Sequence, residues 1–334
     1  MTLTIRDVAR EAGVSTATVS RALRGLGNVD PVTAEHVRRV ADRLDYVVSA
    51  TASRLASGRT GSVAVVTPAI SRWYFATLLT GVERVMQEAD MDLLLHRSAD
   101  PKVSSPALAD RRLRSRVDGV LVLSLPSTSP DVVALRRRRM PVTLIGSRLA
   151  GLSSVTIDDV EGARLATQHL VNLGHQRIAL IGGAPGPGPF IPEVSRLEGY
   201  LEVLEQAGLK ADARLQVPGN FTMAGGEAAM NSLLALRRPP SAVFCMSDEM
   251  AFGALRALRR HGLTAGADMA LVGFDGHDMA DLLDLTTVAQ PVEELGEAGA
   301  RDLLGRLADE TAGPVERILP TTLVVRGSTT RTTS

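Results

Sequence analysis

Two periodicities of apolar residues divide this chain. In residues 4–45 the spacing is helical throughout. Ile5, Val8, Ala9 and Ala12 fall at i, i+3, i+4 and i+7, one face of a helix. Gly13-Val14 interrupts it, and Ser15 is a good N-cap for a second helix that carries Val19 and Leu23 inward. Asp30-Pro31 predicts the start of a third helix, with proline in its first turn and Val37, Val40, Ala41 and Leu44 on its apolar face. Residues 49–58 are rich in Ala, Ser and Thr, too short and too weakly apolar for a stable helix alone.

From residue 61 the period changes. Short β-branched runs at 63–68, 92–96, 118–124, 142–146, 177–183, 241–246 and 269–274 alternate with helical stretches such as 74–89, 159–173, 193–207, 224–236 and 247–261. Strand–helix alternation predicts parallel sheets covered by helices, and this much of it predicts two α/β lobes rather than one core. The tail after Arg326, GSTTRTTS, is expected to fray.

Charge changes the picture more than composition does. The 334 residues carry 37 Lys+Arg against 37 Asp+Glu, a neutral sum. The first 60 residues hold nine arginines and six acids, a net +3, so the remainder is −3. A basic head on an acidic body is a prior for nucleic-acid contact. Cys245 is the single cysteine, which excludes an intrachain disulfide and a cysteine zinc cluster; flanked by apolar residues, it reads as an inert core thiol. The opening MTLTIRDVAR has no apolar h-region, and no apolar run approaches the ~18 residues of a membrane span, so a soluble, cytoplasmic chain is expected, nucleoid-associated when on DNA.

Helix, Gly-containing turn, helix and a supporting third helix form the plan of a DNA-binding helix-turn-helix. Its second helix would lie in the major groove and present Thr16, Ala17 and, one turn on, Arg21 to base edges. Arg21 suits a bidentate contact to guanine, worth ~1–3 kcal/mol of discrimination. Thr16 and Ala17 suit a thymine methyl or a close approach. Ser15, Asn28 and Thr33 sit where turn and cap groups hold phosphates.

The segment TIRDVAREAGVSTATVSRAL (4–23), the block TAEHVRRVADRLDY (33–46) and the linker ATASRLASGRTG (50–61) resemble the lactose/galactose-repressor (LacI/GalR) family, and the resemblance continues to about residue 326. It implies a helix-turn-helix head at 1–48, a hinge at 49–60 and an effector-binding, dimerising body at 61–334. The body would be periplasmic-binding-protein-like, with two Rossmann-like lobes: the first at about 61–160 and 291–320, the second at about 161–290 and 321–330. The hinge would fold on DNA as a pair of helices, with Ala52 allowing their close approach and Leu55 wedged into the minor groove. A buried linker leucine is the alternative for Leu55. Val48 and Ser49 stand where the family has Pro and Asn.

In such sheets ligands sit beyond the carboxyl ends of strands. After the run at 63–68, Tyr74 and Phe75 match positions that line the family's pocket, core packing being the alternative; Trp73, the only tryptophan, replaces the usual proline. Arg196 opens the family-like R-x-x-G-[YF] segment, where an arginine reaches into the cleft. Phe221 matches a stacking aromatic. Ser247 and Asp248 follow a strand and open a helix, Asp248 equally readable as a helix N-cap. Asp275 follows another strand and suits paired hydroxyls; Gln290 lies at a crossover.

The resemblance implies a DNA-binding transcriptional regulator, a repressor, working as a homodimer on a pseudo-palindromic double-stranded operator. A small metabolite, most simply a sugar or sugar derivative, would control it. The competing reading is a metabolite-binding protein of the periplasmic type with no role on DNA. An enzyme is disfavoured: the six histidines show no His-Glu-x-x-His spacing, and no Gly-x-Ser-x-Gly elbow or dinucleotide fingerprint is present. No catalytic residue, metal, cofactor or membrane partner is expected. The run Arg136–Arg139 reads as a solvated helix end rather than a second nucleic-acid patch.

Overall fold

The computed structural model describes residues 3–23, 29–46, 59–98, 113, 115–126, 128–137, 140–183, 192–309 and 311–330. The chain forms two compact units, Met1–Gly61 and Ser62–Ser334. Asn28, Val48, Ser49, Ala52 and Leu55 lie outside the described residues.

The described residues of the first unit form three helices, α1 (Ile5–Ala12), α2 (Thr16–Leu23) and α3 (Pro31–Arg43). Local chemistry sets each boundary. Asp7 reaches back to accept from the Thr4 amide at 3.0 Å and its hydroxyl at 2.8 Å. Gly13 closes α1 in the left-handed region at φ 68°, where a side chain is strained. Ser15 Oγ accepts from the Thr18 amide at 3.1 Å and Asp30 from the Thr33 amide at 3.0 Å, opening α2 and α3. The shared core consists of Val8, Ala9, Ala12, Val19, Ala22, Ala34, Val37, Val40 and Ala41.

The second unit holds two six-stranded sheets. One has the order β11-β5-β4-β3-β1-β2, built from β1 (Ser62–Thr67), β2 (Asp92–Arg97), β3 (Gly119–Leu123), β4 (Val142–Ile145), β5 (Ser153–Ile157) and β11 (Glu316–Leu319). The other has the order β12-β10-β9-β8-β6-β7, from β6 (Ile178–Gly182), β7 (Gln216–Pro218), β8 (Ala242–Cys245), β9 (Ala270–Asp275), β10 (Thr286–Ala289) and β12 (Thr322–Val324). All pairings are parallel except β10 with β12. The chain therefore passes between sheets after β5, after β10 and between β11 and β12.

Helices α4 (Trp73–Glu88), α5 (Pro130–Arg136) and α11 (Val292–Ala308) belong with the first sheet. Helices α6 (Asp159–Asn172), α7 (Pro192–Gln206), α8 (Met223–Leu234), α9 (Asp248–Arg260) and the single turn α10 (Met279–Leu282) belong with the second. α4 and α11 pack backbone to backbone: a Cβ on Gly81 would lie 2.1 Å from the Glu293 carbonyl oxygen, and one on Gly296 would lie 2.1 Å from that of Leu78. No larger residue fits at this crossing.

Three features differ from the sequence expectation. The strands β5, β7, β10, β11 and β12 were not anticipated, because SSVTI is hydroxyl-rich and the others run only three or four residues. The start of the tail does not fray. Residues Gly327–Thr329 form a 3-10 turn with Ser328 and Thr329 buried, Ser328 Oγ donating to the Leu271 carbonyl at 2.6 Å and accepting from the Thr286 amide at 2.8 Å. Its hydroxyls supply bonds that the sheet lacks, a role invisible to hydropathy. Leu23, expected in the head's core, is only partly buried, and Ala22 takes the inward position.

Candidate DNA-reading face and ligand cleft

In the first unit, Thr16, Ala17 and Arg21 are exposed together along one side of α2, opposite buried Val19 and Ala22. Arg10, Arg38 and Arg43 pair with Asp7, Glu35 and Glu11 at 2.6, 3.4 and 2.8 Å. Arg6, Arg21 and Arg39 have no acidic partner among the described residues. Ser15 is exposed but its hydroxyl is engaged with Thr18, and the Thr33 hydroxyl donates to Asp30 at 3.1 Å. A phosphate would have to compete for both.

In the second unit, one cleft collects residues from Arg72 to Gln290. Its walls are Arg72, Tyr74, Phe75, Ser124, Pro192, Arg196, Phe221, Glu249, Asp275 and Gln290. It holds about 470 Å³ counting its open mouth. The walls come from both sheets: Tyr74, Phe75 and Ser124 follow β1 and β3, whereas Arg196, Phe221 and Glu249 follow β6, β7 and β8 and Asp275 ends β9. Gln290 directly follows β10 at the crossover.

The polar side is a preset network. Gln290 Nε2 donates to Asp275 Oδ1 at 2.7 Å, and Arg196 Nη1 stands 3.6 Å from the same oxygen. Arg196 is itself buried. Its Nε donates to Asp159 at 2.8 Å, its Nη1 donates to the Met246 carbonyl, and its guanidinium lies 3.5 Å from the Phe274 ring centroid. Burial pushes the Asp275 carboxyl up to about 6, against the lowering effects of Arg196 and Gln290. Asp275 sits at φ 122° and Phe221 at φ 53°, both unfavourable for these side chains. Such backbone costs of order 1–3 kcal/mol persist where the surroundings over-determine the conformation.

The apolar side is aromatic. Phe75 is buried and meets Tyr74 edge-on with centroids 5.2 Å apart. Ser124 Oγ lies 3.5 Å from the Tyr74 hydroxyl, and burial raises that phenol to about 12, so it stays protonated and able to donate. An aromatic wall facing carboxylate, amide and guanidinium suits a ring with an apolar face and polar edges.

Six of the expected ligand-site residues, Tyr74, Phe75, Arg196, Phe221, Asp275 and Gln290, thus line one cleft. Ser247 and Asp248 are not part of its wall. Ser247 caps α9 by accepting from the Met250 amide at 3.3 Å. Asp248 is fully buried behind it, accepting from the His277 amide at 2.8 Å and the Thr287 hydroxyl at 2.7 Å. It holds the turn after Asp275, and burial and the Asp275 charge push its carboxyl well up. Arg72, Ser124, Pro192 and Glu249 line the cleft unforeseen. Ser124 directly follows β3, so the strand-end rule already pointed to it.

A helical head exposing a basic recognition face, joined in one chain to a two-lobed body with a polar–aromatic cleft, defines a ligand-responsive DNA-binding regulator. Residues 4–49 match the model of bacterial regulatory proteins of the lacI family, and residues 167–329 match the periplasmic binding protein-like domain. The chain is 36% identical to the HTH-type transcriptional regulator CelR of Thermobifida fusca, over 97% of this chain and 98% of that protein. Among solved structures, a CelR–cellobiose complex superposes with a TM-score of 0.71 at 36% identity, covering 98% of this chain and 99% of that one. The Lac repressor dimer bound to operator and an anti-inducer gives a TM-score of 0.87 at 26% identity, covering 99% and 100%. The chain belongs to the LacI family and is a DNA-binding transcriptional regulator. No helix among the described residues is long and apolar enough to cross a membrane.

Proposed function

We propose that this regulator is a cytoplasmic repressor without enzymatic activity, acting as a homodimer on a pseudo-palindromic operator and controlled by a carbohydrate in the cleft. The head at 1–48 would read DNA through Thr16, Ala17 and Arg21, with Ser15, Asn28 and Thr33 on phosphates. The hinge at 49–60 would present Ala52 and Leu55 to the minor groove. A twofold dimer matches a twofold site. The observation that carries the effector reading is the cleft itself: Asp275, Gln290 and Arg196 offer acceptors and donors opposite the Phe75–Tyr74 wall and Phe221. That pairing fits the hydroxyl edge and apolar face of a pyranose, and cellobiose in the CelR complex is a ligand of this class.

Coupling requires the ligand to prefer one lobe arrangement; a ~100-fold preference corresponds to ~2.7 kcal/mol. A thermal-shift screen of sugars and polyols tests the reading, because a ligand of the folded state raises stability. The expected result is a rise for at least one carbohydrate that disappears in Asp275→Ala. A screen in which only nucleobases or amino acids stabilise the protein removes the carbohydrate assignment.

A further inference from the structure

Helix α4 opens without a cap of its own. Arg72 occupies its N-cap position with no side-chain bond to the helix, and its first turn holds no acid. The missing acceptor comes from across the cleft. Glu249, at the start of α9, accepts from the Trp73 amide at 3.4 Å through Oε1. Its Oε2 accepts from Arg72 Nε at 3.1 Å and Nη2 at 3.0 Å. A helix N-terminus and an arginine together favour the carboxylate at that point.

Trp73 also engages a second element of the opposite lobe. Trp73 Nε1 donates to Asp278 at 3.2 Å. The Trp73 ring stacks on His277 with centroids 4.6 Å apart and planes 23° apart. His277 is held in turn: Asp248 takes its amide, its Nδ1 accepts from the Met279 amide at 3.0 Å, and Phe252 meets its ring edge-on at 5.0 Å. Arg72 and Trp73 follow β1 of the first sheet, whereas Glu249, His277 and Asp278 follow β8 and β9 of the second. The contacts bridge the mouth of the cleft beside the ligand walls.

We propose that Arg72, Trp73, Glu249, His277 and Asp278 form a cross-cleft latch that holds the lobes together without ligand and so sets the open–closed equilibrium on which any effector acts. The residues at its centre, Arg72 and Trp73, provide no helix cap, and the structure uses that deficit as an inter-lobe bond. The inference rests on the two-lobed cleft and not on the chemistry of the effector.

Trp73 is the only tryptophan, so its emission reports on the latch alone. The test uses the full chain with neither ligand nor DNA. In Glu249→Gln the carboxylate is lost. In Arg72→Asp, α4 gains a cap of its own and faces Glu249 with like charge, so this variant keeps the test decisive if the other folds poorly. Expected in both are red-shifted emission, an acrylamide quenching constant raised at least about twofold, and a larger radius of gyration by small-angle scattering, as the open population grows. Emission and quenching equal to wild type overturn the latch. Exposure of Trp73 with an unchanged radius of gyration also overturns it, since the contacts would then be local. Either failure leaves the DNA and effector readings standing.

Discussion

The head and the body solve opposite problems. The head's described core is made of valine and alanine alone, and the residues proposed to read DNA, Thr16, Ala17 and Arg21, lie exposed within six positions of one helix. The body's core includes Tyr200, Phe244 and Phe274, and its cleft residues, half of them buried, come from positions as far apart as Arg72 and Gln290. A DNA reader needs an outward face on a rigid helix. A metabolite sensor needs polar groups withdrawn from water, each satisfied in advance by a neighbour. Damage to the head should therefore spare ligand binding, and loss of Asp275 should spare DNA binding without ligand.

The largest expected effect is in the cleft. Asp275→Ala takes the acceptor from buried Gln290 Nε2, while Arg196 keeps Asp159 and the Met246 carbonyl; a buried polar group left unsatisfied costs about 1–3 kcal/mol. Ligand affinity, followed by calorimetry with a carbohydrate that stabilises the wild type, should fall at least about 100-fold while DNA affinity persists. Affinity within threefold of wild type would place the ligand elsewhere. Next is Arg21→Ala, which should cost ~1–3 kcal/mol of specific DNA binding, about 5- to 150-fold. Its ligand-induced thermal shift should not change, and equal retention of specific DNA by the mutant would remove Arg21 from the reading face.

A smaller effect follows from acidity. With the Asp275 carboxyl raised to about 6, it is ionised at pH 7 and largely protonated at pH 5. Hydroxyl donors then face a neutral carboxyl in place of a charged acceptor, so ligand affinity should weaken by up to roughly tenfold across that interval. The sign for stability follows from the raised value. Between about 4 and 6 the folded chain keeps a proton that the unfolded chain has lost, so this group's contribution falls as pH rises and is constant above. Asp275→Asn should flatten both profiles; unchanged profiles would assign the acidity to another group. Smallest is Thr33→Val. Asp30 still caps α3 through the residue 33 amide, so DNA affinity should fall only a fewfold and equally for all sequences. A change in sequence preference would make Thr33 a base reader.

Legibility in the sequence follows the same division. The three head helices could be read because caps and apolar spacing are local: Ser15, Gly13 and Asp30-Pro31 mark boundaries within a few residues. The long strands of the body could be read from β-branched runs, but β7, β10, β11 and β12 owe their state to neighbours in the sheet. Asp248 shows the limit of strand-end reasoning. It stands just past β8 as Asp275 stands at the end of β9, yet it turns inward to hold the 276–277 backbone, which a single chain position does not reveal. Arg72 and Glu249 escaped notice because each is ordinary alone, and their meaning lies in a partner 177 residues away.

The central claim is that one chain couples a DNA-reading head to a ligand in the cleft. The direct test takes DNA selected from a random pool by the full-length protein and measures its affinity by anisotropy, with and without a carbohydrate that stabilises the wild type. A change of at least about tenfold, equivalent to ~1.4 kcal/mol of coupling, is predicted for wild type and none for Asp275→Ala. An affinity unmoved by the ligand in wild type, or moved equally in Asp275→Ala, would contradict it.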